Sequence, residues 1–144
     1  MQEGCITLHF YFCRMTIGSE LLVVDTSLAV VRRTAPDRVE VHFKEGRIMT
    51  VEGIREMLQA RERMCESGPH SALMVLTELV DFEMPSITTD HHHMIPQPDV
   101  VAVDWVTHND RNDTFMRMYM AYFPPPFPCE VFFDEAAARM WLGW

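Results

Sequence analysis

The sequence predicts an α/β fold with a mostly parallel sheet that begins with an antiparallel β-hairpin. Continuous apolar runs of strand length occur at 72–80 and 100–106, and such runs are typical of strands that are covered on both faces. Segments with helical spacing of apolar residues alternate with these runs, which favours parallel pairing through crossover connections. From this alternation we expect about five strands and about four helices.

Length and charge narrow the class of protein. A chain of 144 residues with 48% hydrophobic residues suits one ordered domain. Its formal net charge of −9 has the wrong sign for binding nucleic acid or an anionic membrane surface. No apolar run reaches the roughly 18 residues of a membrane span. The four cysteines show no CxxC spacing, so we expect reduced thiols, a cytoplasmic protein and no cofactor.

The N-terminal residues are set apart from the rest of the chain. The segment 5–13 is rich in β-branched and aromatic residues and predicts a short strand. Gly18 and its polar neighbours separate this strand from the next apolar segment, which begins at Leu21. We therefore predict an N-terminal extension over 1–19 and a single domain over 20–144.

The next segment predicts the hairpin and the first long helix. The apolar segments LLVVD and SLAVVRR precede a Pro36-Asp37 turn, and apolar and polar residues alternate in RVEVHF after it, which is typical of a hairpin with one buried face. Thr50 is a suitable N-cap for an amphipathic helix over 51–65, in which arginine and glutamate fill the polar face.

The second half continues the alternation of strands and helices. A buried strand over 71–80 precedes a short helix that begins near Pro85 and that Pro96 must end. The remaining predicted elements are a strand over 100–106, a third helix capped near Asn109, a strand over 129–133 and a closing helix over 135–142.

Three stretches carry a recognisable pattern: VEVHFKEGRIMTVEGIREMLQARE at 39–62, ALMVLTELVDFEMPSITTD at 72–90 and PPPFPCEVFFDEAAARMWL at 124–142. Together they resemble small bacterial proteins of the SpoIIAA-like, or STAS-like, fold of the STAS/SEC14 type. The resemblance implies a non-catalytic regulatory or protein-interaction module, not an enzyme. Because related SEC14-type proteins bind lipids, an apolar small-molecule or lipid-binding protein is the alternative.

The resemblance also implies a switch site. In anti-sigma-factor antagonists of this fold, a serine at the start of the helix after the third strand is phosphorylated. The matching residue here is Ser86, with Thr88 as the second candidate, although Pro85-Ser86-Ile87 replaces the family's Asp-Ser-(Ser/Thr)-Gly. Phosphate at a helix N-terminus changes both capping and surface charge. An unmodified N-cap serine is the alternative.

The sequence identifies no catalytic residue and no metal site. It contains no Gly-x-Ser-x-Gly elbow and no glycine-rich phosphate loop. The run His91-His92-His93 cannot converge on one ion if it is helical, because helical neighbours point about 100° apart. In an extended run His91 and His93 could share a side, and the third ligand would then be His70, His108 or Asp90.

The third predicted helix is apolar almost all the way round. Of the nine residues from Phe115 to Phe123, only Arg117 is charged, so more than one face must be covered. We predict a contact with a protein partner, in the first place a second copy of the chain, through Phe115, Met116, Tyr119 and Met120. The alternatives are an apolar ligand, and cover within the monomer by residues 1–19, Pro124–Pro126 and the C-terminal Trp141 and Trp144.

Overall fold

A computed structural model describes residues 13–15, 22–65 and 68–144. These residues form one seven-stranded sheet, a separate pair of short strands and five helices. The α/β class is therefore confirmed, with more elements than the expected five strands and four helices. The four additional strands have two to four residues each, which is too short for an alternating pattern to show in the sequence.

The main sheet joins an antiparallel half to a parallel half. Its strands are β1 (Cys13–Met15), β2 (Leu22–Asp25), β3 (Ala29–Ala35), β4 (Arg38–Phe43), β6 (His70–Val75), β8 (Val100–Val106) and β9 (Cys129–Phe132), in that spatial order. The first four strands pair antiparallel, and β4, β6, β8 and β9 pair parallel. The predicted hairpin corresponds to β3 and β4, with Val31 opposite Val41. The small sheet pairs β5 (Ile48–Met49) with β7 (Asp81–Phe82) in parallel.

Four of the five described helices begin at a residue whose side chain caps the first turn. They are α1 (Val51–Met64), α2 (Met84–Ile87), α3 (His91–Met94), α4 (Asp110–Tyr122) and α5 (Glu135–Leu142). The Thr50 hydroxyl accepts a hydrogen bond from the Gly53 N–H at 2.9 Å, and Asn109 and Asp134 cap α4 and α5 in the same way. These contacts confirm the predicted N-caps of the three longer helices.

Successive side chains of the central strands point to opposite faces of the sheet, and different helices cover the two faces. On β6, Ala72 and Met74 belong to a large core cluster that includes residues of α1 and α4. Leu73 and Val75 belong to a smaller cluster on the other face, with Ala138 of α5. The sheet is thus covered on both faces, as its apolar strands predict.

Two predicted elements are shorter than expected. The strand predicted over 71–80 ends at Val75, and the carbonyls of Thr77 and Glu78 beyond it accept hydrogen bonds from the Asn112 side chain at 3.1 Å. The single helix predicted between Pro85 and Pro96 is two helices of four residues each. Threonine hydroxyls donate to carbonyls of α2, and Asp90 caps α3, so the helical path breaks between them.

Part of the predicted N-terminal extension belongs to the main sheet. Residues 13–15 form its edge strand and pair with β2. The rest of the strand predicted over 5–13, and the remainder of the 1–19 extension, lie outside the described residues. In the described ranges, no helix is long and apolar enough to cross a membrane.

Candidate functional site

A cavity lies between α1, α4 and the main sheet. It has a volume of about 60 Å³ and is partly open to solvent, and this volume exceeds the room that a single water molecule needs. Apolar side chains from both sheets and from three helices form most of the wall: Phe43, Met49, Ile54, Met57, Leu58, Phe82, Ile87, Val103, Trp105, Phe115 and Met116. Five polar side chains complete it: Arg61, Ser86, His91, His92 and Tyr119. The cavity is therefore an apolar pocket with a few defined polar groups.

The segment 81–94 forms one wall of this pocket. Its first residues are held by the pairing of β7 with β5, in which Phe82 lies opposite Met49. The Phe82 ring stacks on Phe115 of α4 with 4.1 Å between ring centroids. Farther along, the Tyr119 hydroxyl binds the backbone at residues 89 and 91. Contacts at both ends thus fix this wall to α4 and to the small sheet.

Arg61 is the cationic group in the wall. It is only 2% exposed, and its guanidinium donates to the Gln97 side-chain oxygen and to the Met74 sulfur. Its Nε has no hydrogen-bond partner. No carboxylate in the described part of the chain forms an ion pair with it. Burial lowers the pKa of Arg61 to about 10, against a smaller opposing effect of Glu62, so the group is charged at neutral pH.

The arginines of the first helix are expected on its polar face, and for Arg61 this expectation is wrong. The spacing contains the signal that was missed. Arg61 follows Met57 by four residues and Leu58 by three, so it lies on the same helical stripe as those buried side chains. A charged residue on the apolar stripe of an amphipathic helix is an indication of a buried polar site.

His92 is the second polar group without a full set of partners. Its Nδ1 is buried and unpartnered, and its ring meets Phe127 edge-on at 5.4 Å. Burial, with a further contribution from the Arg61 charge, lowers the pKa of His92 to about 4. The ring is therefore neutral at physiological pH.

The other two histidines of the run have separate partners. The buried His91 donates from Nε2 to the Ser86 carbonyl at 2.6 Å, and burial lowers its pKa. His93 binds the Asp90 carboxylate at 2.6 Å near the surface. Within the described residues, the run does not belong to any group of ligand atoms close enough to hold a metal ion.

The two candidate switch residues differ in accessibility. Ser86 is 2% exposed, and its hydroxyl donates to the Glu83 carbonyl at 2.6 Å. Glu83, not Ser86, is the N-cap of α2, so the alternative role of Ser86 as an N-cap is wrong. Thr88 is exposed and follows the helix. Of the two hydroxyls, only that of Thr88 is at the surface.

Of the residues predicted to form an interface, Met116 and Met120 pack in the core, whereas Phe115 and Tyr119 line both the pocket and an open groove on the outer side of α4. Met116 is 6% exposed, Phe115 and Met120 pack against the same core, and Phe115, Met116 and Tyr119 line the pocket. The segment 81–94 provides the cover, which the sequence did not indicate. The C-terminal tryptophans do not cover α4, because Trp144 packs with Leu73 on the opposite face. The exposed apolar residues of α4 are Met118 and Tyr122, at 58% and 81%.

A polar network lies on the other face of the sheet, beneath α5. The Arg139 guanidinium binds Glu40 at 2.6 Å and Glu135 at 2.7 Å, and His42 lies 3.1 Å from Glu40. Single ligand atoms of Glu40, His42 and Glu135 lie within 4.8 Å of one another. The hydrogen bond from His42 and the contact with Arg139 lower the pKa of Glu40 to about 2. Because Arg139 already neutralises these carboxylates, we interpret the network as structural.

Asp104 lies on this same face and lacks partners. It is 0% exposed, and in the part of the chain that the structure describes no other residue donates a hydrogen bond to its carboxylate oxygens. Burial raises the pKa of Asp104 to about 7, although the Arg139 charge opposes the shift. The strand register places Leu73 between Asp104 and Glu40, so Asp104 is not a member of the ion-pair network.

No protein-family model, curated protein or solved structure matches the chain. The STAS-like fold and the function that it implies are therefore still predictions. The fold and the site define an α/β protein with an apolar pocket on one face of its sheet and an ion-pair network on the other.

Proposed function

We propose that the protein is a non-catalytic binding protein that takes a small apolar molecule into the pocket between α1 and α4. The observation that carries this proposal is the cavity itself. Protein cores contain few voids larger than a water molecule, whereas ligand pockets combine apolar walls with a small number of placed polar groups. The pocket has this composition.

The hydrogen bonds of the wall support binding over catalysis. The Ser86 hydroxyl donates to a backbone carbonyl, and the His91 ring does the same. The Tyr119 hydroxyl both donates to and accepts from the backbone. None of these three groups is paired with another as a nucleophile and base would be. Their bonds instead fix the shape of the wall.

A substitution that fills the pocket with a larger side chain tests the proposal. Val103 lies in the wall and is 1% exposed, whereas Val101 on the same strand is 53% exposed. We expect hexanol or indole to bind the parent protein in calorimetry. Val103→Phe should abolish that binding, and Val101→Phe, the matched control, should preserve it.

The melting temperature of Val103→Phe shows whether the variant is folded. If a folded Val103→Phe binds the probes as the parent does, the pocket is not the binding site. Native mass spectrometry of freshly purified protein provides a second measurement that needs no variant. A co-purified small apolar molecule would support the proposal.

A protein-interaction module, as the STAS-like resemblance implies, is the second candidate function. Its specific support is an open groove beside α4, lined by exposed Met118 and Tyr122 and bordered by Thr88. We propose that a second copy of the chain is the partner. A phosphoryl group on Thr88 would add negative charge at the edge of this groove and would weaken an apolar contact.

We also propose a cytoplasmic location. Cys65 and Cys129 are free thiols, and burial raises the pKa of both. Unreactive, reduced thiols are typical of proteins in a reducing compartment.

A further inference from the structure

The charge in the pocket wall indicates the class of ligand, on the condition that the proposed function holds. We propose that the pocket takes a small apolar carboxylic acid, whose carboxylate pairs with Arg61 and whose hydrocarbon part lies against the apolar walls. The observations that carry this inference are the burial of Arg61, its unpartnered Nε and the absence of an acidic partner for it in the described residues.

A buried arginine without a counterion is unusual. Charged side chains are almost never fully buried unless they are paired. Arginine also cannot lower the cost of burial by losing its proton, because its guanidinium stays protonated in proteins. The partners of Arg61 are an amide oxygen and a thioether sulfur, both uncharged. An anion in the pocket would supply the missing negative charge.

The surroundings of Arg61 favour a carboxylate over other anions. The remaining unpartnered polar atom in this wall is Nδ1 of His92. A carboxylate has a single negative charge and two oxygens, which suits one guanidinium and one imidazole. A phosphate monoester carries nearly twice the charge and has three strong acceptor oxygens, more than these two groups can satisfy. The apolar walls require the rest of the ligand to be hydrocarbon.

His92 provides a signal of the bound anion. The positive charge of Arg61 contributes to the lowered pKa of His92. A carboxylate bound at Arg61 would offset that charge and favour the protonated imidazole. We therefore expect the acid, but not the corresponding alcohol, to raise the pKa of His92.

The experiment compares hexanoate with hexanol, which share a chain length and differ in charge. We expect the parent protein to bind hexanoate more tightly by about tenfold or more, the effect of one charge-assisted hydrogen bond. Arg61→Met should remove this preference and keep hexanol binding. Arg55→Met, on the exposed side of the same helix, is the matched control and should behave as the parent does. Calorimetry measures both ligands, and NMR titration of the imidazole signals follows His92.

Each outcome decides between the two proposals. If hexanol and hexanoate bind the parent equally, or if Arg61→Met still binds hexanoate more tightly than hexanol, the carboxylate inference is wrong. The proposed binding of an apolar molecule is then unaffected. If neither probe binds the parent, the proposed function is wrong and the inference falls with it. The NMR titration uses the parent alone, so it remains decisive even if Arg61→Met does not fold. An unchanged pKa of His92 at saturating hexanoate would overturn the carboxylate inference.

Discussion

The Tyr119 hydroxyl accepts a hydrogen bond from the backbone N–H of His91 at 3.1 Å. It also donates to the carbonyl of Thr89 at 2.8 Å, and the rings of Tyr119 and His91 stack with their centroids 6.0 Å apart. One side chain of α4 thus holds the first residues of α3, where two of the pocket's polar groups are found. The position of this wall depends on a hydroxyl that lies far from it in the sequence.

Tyr119→Phe should loosen this wall. Removing the hydroxyl leaves two backbone groups without their partner, and we expect a loss of about 1–3 kcal/mol in the free energy of unfolding. Hydrogen exchange at the His91 amide should be faster than in the parent. Tyr122→Phe is the control, because Tyr122 is 81% exposed. Equal exchange rates at His91 in the parent and in Tyr119→Phe would contradict the prediction.

Asp104 should make the protein less stable as pH rises. Its folded pKa of about 7 lies above the ordinary value of 3.8, so the folded state holds a proton that the unfolded state releases between these values. The contribution of Asp104 to the free energy of unfolding should fall from about pH 4 to about pH 7, by up to about 4 kcal/mol. His92, whose pKa burial lowers to about 4, contributes in the opposite direction over this range.

Asp104→Asn tests this prediction by removing the titration. The variant should be more stable than the parent at about pH 8 and similar to it at about pH 4. Denaturant unfolding across this pH range measures both. Asp99→Asn, an exposed position just before the same strand, should follow the parent's profile. A stability difference between the parent and Asp104→Asn that stays constant between these pH values would show that Asp104 is not desolvated.

Negative charge should be tolerated at Thr88 and not at Ser86. Ser86→Glu places a carboxylate at a position that is 2% exposed and removes the bond to Glu83, so we expect a loss of several kcal/mol. Thr88→Glu lies at the surface and should change the stability by less than about 1 kcal/mol. Thermal melting distinguishes the two. A stable Ser86→Glu variant would restore Ser86 as the candidate switch residue.

The outer face of α4 should control self-association without affecting the fold. Met118→Glu combined with Tyr122→Glu should keep the parent's melting temperature, because both positions are exposed. If the groove joins two copies, light scattering should show a dimer for the parent and a monomer for the double variant. Met116→Glu, on the inner face of the helix at 6% exposed, should instead unfold the protein. Identical masses for the parent and the double variant would rule out the groove as the contact.

Those parts of the fold that depend on local pattern could be predicted from the sequence. The continuous run at 100–106 forms β8 over the same residues, and Thr50 begins α1 where its hydroxyl can bind a free N–H. Both signals lie within a few neighbouring residues. The small sheet of β5 and β7 was missed, because strands of two residues show no periodicity.

The pocket could not be predicted, because it depends on residues that are distant in the chain. Phe82 and Phe115 stack although they belong to different elements, and no local pattern indicates that pairing. The apolar circumference of α4 could be read from the sequence, but the cover that the segment 81–94 provides for one side of it could not. The arginines of α1 were expected on its polar face because of their charge, although the position of Arg61 on the helix places its side chain in the core.

The ion pair between Glu40 and Arg139 connects residues 99 positions apart. Helix α5 comes after every strand of the main sheet in the chain, and it covers Leu73, Val75 and Val106. During synthesis, one apolar face of the sheet therefore stays uncovered until α5 has been made. This face is the most exposed to aggregation in a growing chain. A chain truncated just before α5 should consequently require chaperones to avoid aggregation.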